Sequence, residues 1–551
     1  MNSRMMRCVA AVAVLAFAWW LLPVPEAARG TAWSLLPPAL AIFLALWARQ
    51  VVASLFLGVW LGATMLAGNP GSGFLRLVDT NLREALTDPD HVSILLFSML
   101  LGGMVAVMSR SGGTAGVVER LEPLATTPRR SQIVTWLMGV AIFFDDYSNT
   151  LVVGHAMRPV TDRHQVSREK LAFLVDSTAA PVACVAVVST WVGYQVSVLG
   201  DALQASGVDL NPFSVFLASV PVAFYPFAAL TLTLSVAVSR RDMGPMLAAE
   251  RRAARGELLS ERSRPLADFD TTALEPGPET PRRWFNAALP VLSVVVVMLV
   301  GLWVTGKASL EADGAAAAGL AEVIGASDPF TVLLWGSLVG LAMAVALALG
   351  QGLLTLEQSM DAMIAGFKSM LIAVVVLTLA WSLGRVCTDL GTADWLTEAV
   401  GPHVPPVLLP ALVFLVAAAV SFSTGTSWGT MAILTPLAVP LILRAAPESA
   451  PLLSATVSAI LGGSVFGDHC SPISDTTVMS SMASSCDHID HVRTQLPYAL
   501  LAAGTSVIFG YLPFSVFGLS PWVALPLTVV GVLVAFTLLS SSVEEDGNES
   551  P

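Results

Sequence analysis

Apolar stretches of membrane-spanning length follow one another through most of this chain, and four of them are interrupted by polar residues. They lie near residues 33–48, 50–67, 92–109, 132–157, 171–199, 212–238, 285–305, 330–350, 361–386, 405–443, 452–482, 496–517 and 521–540. A helix needs roughly 20 residues to cross a hydrocarbon core of about 30 Å. Runs such as Val291–Val300 do not alternate, which argues against a β-barrel. Helices satisfy their own backbone groups in lipid, so the expected fold class is an all-α polytopic membrane protein. Composition agrees. The 551 residues are 55% hydrophobic and 12% charged, where soluble domains carry about 25% charged residues. A net charge of -12 supplies no basic surface for nucleic acid. Cys8, Cys184, Cys387, Cys470 and Cys486 show no CxxC spacing and read as small buried hydrophobes.

The stretches 132–157, 171–199, 405–443 and 452–482 are predicted to hide broken helices or re-entrant hairpins. Non-helical backbone at that depth is tolerated only where it lines a cavity or is buried in protein. One interruption reads Phe143-Phe144-Asp145-Asp146-Tyr147-Ser148-Asn149-Thr150. Another reads Ser421-Phe422-Ser423-Thr424-Gly425-Thr426-Ser427-Trp428-Gly429-Thr430. Phe144 and Phe422 are offset by 278, as are Gly113-Thr114-Ala115 and Gly391-Thr392-Ala393. A second interruption follows in each half: Asp176-Ser177-Thr178, and the run from Asp468 to Thr477. This recurrence predicts a transporter built from two repeats with its site between them. The second repeat is inverted if an odd number of crossings separates equivalent points.

The expected organisation is an N-terminal apolar segment (1–30), a first transmembrane half (31–238), an Arg-rich linker (239–284), a second transmembrane half (285–542) and an acidic tail (543–551). Arg4 and Arg7 precede the first apolar run, which is read as a retained helix rather than a cleaved signal. The linker carries nine arginines, which places it in the cytoplasm. The segment Gly306–Asp328 has Lys307 alone among its basic residues, as an outside loop should.

Asp145 and Asp146 follow an apolar run, and each carboxylate at the midplane would cost about 2.5–3.5 kcal/mol. A bound Na⁺ or a proton relieves that cost, and like charges so close raise one pKa. Adjacent side chains do not share a helix face, so one is expected to face the site and the other a structural partner such as Arg158. Ser148, Asn149 and Thr150 offer oxygen ligands for a hard cation. Thr426, Ser427 and Thr430 offer the same in the second half, where Gly425 and Gly429 let the backbone unwind. Asp176 is a functional candidate by its depth, weighed against pairing with Arg168 or Lys170. Asp468, Ser471, Ser474, Asp475 and Thr476 form the densest polar stretch, and Pro472 breaks any helix through it. His469 is either a proton shuttle or a satisfied buried imidazole. His488 and His491, with Asp487 and Asp490, read as an interfacial loop rather than a metal cluster. Arg385 and Asp389 are expected to pair along one helix. Gly425-Thr426-Ser427-Trp428-Gly429 matches the G-x-S-x-G elbow of serine hydrolases on paper, but that elbow needs a strand-to-helix turn.

The segments FFDDYSNTLVVGHAMRPVTD (143–162), Arg168-Glu169-Lys170-Leu171 to Pro181, TGTSWGTMAILTPLAVPL (424–441) and GDHCSPISDTTVMSS (467–481) resemble the signatures of the NhaC-type Na⁺/H⁺ antiporter family. The resemblance covers about residues 35 to 540. It implies inverted repeats, paired re-entrant hairpins and an elevator-type transport domain, with Ser148-Asn149-Thr150 at a hairpin tip that helps form a Na⁺ site. The implied activity is exchange of Na⁺ or Li⁺ for H⁺ in a bacterial inner membrane, serving pH homeostasis. No cofactor is expected beyond the transported ions, and membrane lipid is the expected surround, with a homodimer expected by analogy. Asp146→Asn or Asp475→Asn is expected to abolish exchange. Some relatives exchange organic acids or amino acids coupled to Na⁺ or H⁺, and Arg158 is the residue suited to a substrate carboxylate.

Overall fold

A computed structural model describes residues 29–48, 51–261, 263, 277, 280–312, 319, 323, 326–400, 404–472 and 474–543. The first apolar run and the acidic tail beyond residue 543 lie outside the described residues, as do the side chains of Ser148 and Asp475.

The first half contains α1 (Leu36–Ala48), α2 (Val51–Ala67), α3 (Pro70–Arg76), α4 (Arg83–Thr87), α5 (Pro89–Arg110) and α6 (Gly113–Leu121). It continues through α7 (Pro128–Ala141), α8 (Asp146–Arg163), α9 (Arg168–Val185), α10 (Thr190–Ala205), α11 (Pro212–Ser219) and α12 (Phe224–Ser239). The linker adds β1 (Arg241–Asp242) and α13 (Gly244–Ala254). The second half contains α14 (Phe285–Ala312), α15 (Pro329–Gly350), α16 (Leu356–Ser369), α17 (Leu371–Asp389), α18 (Thr392–Val400) and α19 (Leu409–Thr424). Then come α20 (Ser427–Ala445), α21 (Ala450–Cys470), α22 (Asp475–Ala483), α23 (His488–Thr505), α24 (Leu512–Phe517), α25 (Pro521–Leu539) and β2 (Ser541–Ser542). Among the described residues nine helices are long and apolar enough to span a membrane, and twelve spans result if three sharply bent pairs each count as one.

Each of the four long polar-interrupted stretches is a broken helix. Breaks fall at residues 142–145, 186–189, 425–426 and 471–474. Each is stabilised by local chemistry. Asn149 donates to the carbonyls of Gly139 (2.6 Å) and Ile142 (3.0 Å), which the end of α7 leaves open. Ser189 caps α10, and Thr190 N–H donates to Phe144 O at 2.9 Å, so the two breaks of the first half are joined. Gly425 ends α19 in the left-handed conformation, φ 68°. Thr426 then caps α20, and Ser474 caps α22. The order of elements recurs. A long helix (α5; α17), a left-handed glycine (Gly112; Gly391) and a short helix (α6; α18) lead into two broken helices, α7/α8 and α9/α10 in one half, α19/α20 and α21/α22 in the other.

The core of the bundle is more polar than its rim. Every residue from Glu169 to Cys184 on α9 is buried, as is every residue from Leu452 to Cys470 on α21. Helices α14 and α25 present Leu292, Leu299, Trp522 and Leu538 outward, an apolar belt that suits lipid. Small residues bring inner helices close. A Cβ on Gly463 of α21 would lie 2.6 Å from Phe414 O of α19.

The linker helix α13 docks on the start of α9 and on α23. Buried Lys170 pairs with buried Asp242, which also accepts from Tyr498 Oη at 2.7 Å. Ser167 donates to Glu250 through Oγ (2.7 Å) and N–H (2.8 Å), and Arg252 pairs with Glu169 at 2.8 Å. β1 and β2 pair antiparallel, tying the linker to the residues that follow α25. The expected Arg385–Asp389 pair does not form. Arg385 reaches Glu84 at 2.7 Å and Asp389 receives Arg76 at 3.0 Å, because the short helices α3 and α4 lay oppositely charged groups against α17.

Candidate functional site

Asp176 is one point where the halves meet. It sits mid-way along α9 and is fully buried. Its Oδ2 accepts from Gln495 Nε2 (2.7 Å) and Thr477 Oγ1 (3.2 Å), and its Oδ1 accepts from Ser480 Oγ (3.3 Å). All three donors belong to the second half, on α22 and α23. Arg168 instead pairs with Asp162, and Lys170 with Asp242, so neither compensates Asp176. Among the described residues its one ion-pair neighbour is His491, with Nε2 3.9 Å away.

The interrupted segment between α21 and α22 wraps the same point. Asp468, on the last turn of α21, accepts from Ser474 Oγ at 3.1 Å, and Ser474 Oγ lies 3.1 Å from Thr476 Oγ1. Thr477 Oγ1 also donates to Asp468 O at 2.5 Å. Ser471 is buried at the break. The unwound segment expected between two carboxylates is therefore present, with Asp475 opening α22.

From Asp176 a hydrogen-bonded chain runs outward. Gln495 Oε1 meets His491 Nε2 at 2.6 Å, His491 Nδ1 meets Ser481 Oγ at 2.8 Å, and Ser481 Oγ meets His488 Nδ1 at 3.0 Å. His488 Nε2 then reaches Pro472 O at 2.7 Å, at an exposed position. The interfacial-loop reading of these histidines is corrected here. Asp487 caps α23, which places His488 and His491 in its first turn and drives His491 inward. His491 and Gln495 stand four apart on one helix face, a spacing visible in the sequence that was not read as part of the site. Among the described residues no cluster suited to a metal forms at these histidines. His469 is buried, and its Nδ1 lies 3.1 Å from Tyr225 Oη.

The first-half break sits beside this centre. Asn149 Nδ2 bonds Thr178 O at 3.3 Å, two residues along α9 from Asp176. Among the described residues the buried Asn149 Oδ1 has no hydrogen-bond partner. Thr190 Oγ1 donates to Asp145 at 3.3 Å. Asp145 and Asp146 are both buried, and Thr150 Oγ1 donates to Asp146 O at 2.8 Å. Thr426, Ser427 and Thr430 lie at the break between α19 and α20. Thr426 Oγ1 accepts from Gly429 N–H, Thr430 Oγ1 donates to Thr426 O at 2.9 Å, and Ser427 is buried on the first turn of α20. Tyr194 ties that turn to α10 through Trp428 O at 2.5 Å. The G-x-S-x-G segment joins two helices, not a strand to a helix, so it lacks the geometry of a hydrolase elbow.

The sequence profile of the Na⁺/H⁺ antiporter family matches residues 182–519, from the last turn of α9 through α24. The chain belongs to that family. An uncharacterized protein of Haemophilus influenzae is 33% identical to this antiporter-family chain over 512 residues, covering 91% of it and 95% of the relative. The malate-2H(+)/Na(+)-lactate antiporter of Bacillus subtilis is 30% identical over 191 residues, 32% of this chain and 36% of that protein. In fold, this family member is similar to the YdaH transporter of Alcanivorax borkumensis. The TM-score is 0.56 at 14% identity, covering 91% of this chain and 99% of that one. A multi-pass membrane protein of an antiporter family is a secondary transporter, and transport is the activity for which the buried polar centre has to account.

Proposed function

We propose that the chain exchanges Na⁺ (or Li⁺) for H⁺ across the cytoplasmic membrane of a bacterium. The observation that carries this reading is Asp176, a fully buried carboxylate held by side chains of the opposite half, with no lysine or arginine paired to it among the described residues. An intramembrane carboxylate without a fixed counter-charge is costly unless a cation or proton occupies it in turn. Alternate occupancy of that kind makes exchange obligatory. The Asn149 Oδ1 supplies a ligand of the kind a hard cation takes, Asp145, Asp146 and Asp468 stand at the same breaks as further acidic groups, and Asp475 is the first residue of α22. Protons enter along His488, Ser481 and His491, and Gln495 holds the last member of that chain against Asp176. The recurring element order supports inverted repeats and alternating access by an elevator-like movement of the broken helices. The Arg-rich linker faces the cytoplasm.

The test is the internal pH of sealed proteoliposomes after a Na⁺ gradient is imposed, with no organic solute present. Proton flux opposite to Na⁺ is expected in the unaltered protein and is lost in Asp176→Asn, whose amide preserves shape and an acceptor oxygen. A folded, monodisperse protein that moves no protons until malate or lactate is added would instead support organic-acid exchange. That reading takes its motive from the named activity of the Bacillus subtilis relative.

A further inference from the structure

Asp242 belongs to the linker, yet it is 1% exposed. Its Oδ1 takes donors from two different helices: Nζ of buried Lys170 on α9, and Oη of buried Tyr498 on α23 at 2.7 Å. The next linker residue joins the same group, since Met243 N–H donates to Tyr498 Oη at 3.0 Å. The Lys170 ammonium stands 5.9 Å from the centre of the Tyr498 ring and 6.0 Å from that of Phe173, and the two rings pack at 4.7 Å. A single linker carboxylate therefore bridges α9 and α23.

Those two helices carry Asp176 and its shortest hydrogen bond. On α9, Lys170 and Phe173 precede Asp176 within two turns. On α23, Tyr498 follows Gln495 by three residues and shares its face. Gln495 Nε2 donates to Asp176 at 2.7 Å, while Gln495 Oε1 meets His491 at 2.6 Å. Packing between the bridge and this centre is not closed. A small cavity of about 10 Å³ remains there, bounded by Phe173, Ser177, His469 and Tyr498. Where close packing is incomplete, steric fit alone fixes the register less firmly. Other linker contacts each hold one helix. Glu250 and Arg252 bond Ser167 and Glu169 at the start of α9, and Ser260 donates to Asp490 on α23 at 2.9 Å.

A buried ion pair adds little net stability over well-packed apolar groups, so its use is better sought in the geometry it specifies. We propose that Asp242 is a positioning residue for exchange: through Lys170 and Tyr498 it sets how α9 and α23 meet, and so holds Gln495 against Asp176. This rests on the exchange reading given above and extends its machinery into the linker. Asp242 touches no transported ion. It acts through the two helices, as an outer support acts on an inner ligand.

The test is Na⁺-driven proton flux in proteoliposomes, measured against Na⁺ concentration for the full chain. Tyr498→Phe keeps the ring on Phe173 and leaves the Lys170–Asp242 pair intact, removing only the hydroxyl that completes the bridge. The Na⁺ KM should rise about threefold or more, short of the roughly tenfold that loss of a direct outer partner of a metal ligand costs. Folded yield and maximal rate should stay near those of the unaltered protein. Lys170→Met with Asp242→Leu, which removes the bridge and strands no buried charge, should raise KM in the same way. Arg282→Ala in the linker removes an exposed pair with Glu119 and should leave KM unchanged. An unmoved KM in both bridge variants, or a lower maximal rate at unchanged KM, would make Asp242 a structural residue only and overturn the inference while exchange stands. An equal rise in KM in Arg282→Ala would also overturn it, because any disturbance of the linker would then act alike. No flux in the folded, unaltered protein would sink the exchange reading itself, and this inference with it.

Discussion

Helices α21 and α25 are close in length, 21 and 19 residues, and opposite in placement. The more polar one, α21, with three serines, a threonine, an aspartate and a histidine, is 89% buried over its spanning window. The more apolar one, α25, is 28% buried. In water this order would be absurd. In lipid an apolar rim faces a solvent as apolar as itself, and helix association must come from packing and internal hydrogen bonds. Ser458 Oγ on α21 donates to Val222 O at 2.6 Å, and Ser464 Oγ to Ile460 O at 2.7 Å. The inner helix is thus specified by fit and hydrogen bonding, the outer one by little more than being apolar and long enough.

That contrast is open to direct attack. The strongest blow falls on fit: Gly463→Leu forces a side chain into the backbone of α19 and should remove the monodisperse peak in size-exclusion chromatography. Recovery of folded protein at normal yield would mean that α21 and α19 do not pack as described. Next comes the inner charge. Lys170→Met strands buried Asp242 and should destabilise the protein by about 3–5 kcal/mol in denaturant unfolding, while Lys170→Met with Asp242→Leu recovers most of the loss. Equal loss in both would show that the pair is not a unit.

A smaller effect concerns Glu250 in the linker. Burial raises its carboxyl pKa, against the lowering influence of Lys170. The folded form then holds its proton more tightly than the unfolded form. This contribution is fully present below the unfolded value and is lost as pH rises through the raised folded one. The slope is at most about 1.4 kcal/mol per pH unit, and Glu250→Gln should flatten it in melting curves taken across that window. At the rim, Leu538→Ala should change stability by less than about 0.5 kcal/mol, since its side chain is 79% exposed in the bundle. A loss as large as that of a core residue would place α25 against a protein partner.

The breaks were legible in the sequence because they need local exceptions: Pro472 after α21, Gly425 at a left-handed turn, and clustered capping hydroxyls. Asp176 was legible because a carboxylate in an apolar run has few uses. Its partners were not. Gln495 and Ser480 lie 319 and 304 residues away in sequence, and nothing local records which helices meet. The same holds for Lys170 and Asp242, or Arg385 and Glu84, where neighbouring charges offered nearer partners that the fold does not use. Thr426, Ser427 and Thr430 were legible as the polar start of a helix after a break. Much of their polarity goes into capping and stabilising the start of α20.

The two-residue ladder between β1 and β2 also sets a timetable. Arg241 and its partner Ser540, joined at 3.0 Å, are 299 positions apart. At roughly 5–20 residues per second, the ribosome delivers the second strand on the order of tens of seconds after the first. Throughout that interval the strand that carries Asp242 to Lys170 has no neighbour. β2 is therefore a clasp that closes only after the whole second transmembrane half has been made, and a truncation that removes Ser541 and Ser542 would be felt in the middle of the protein.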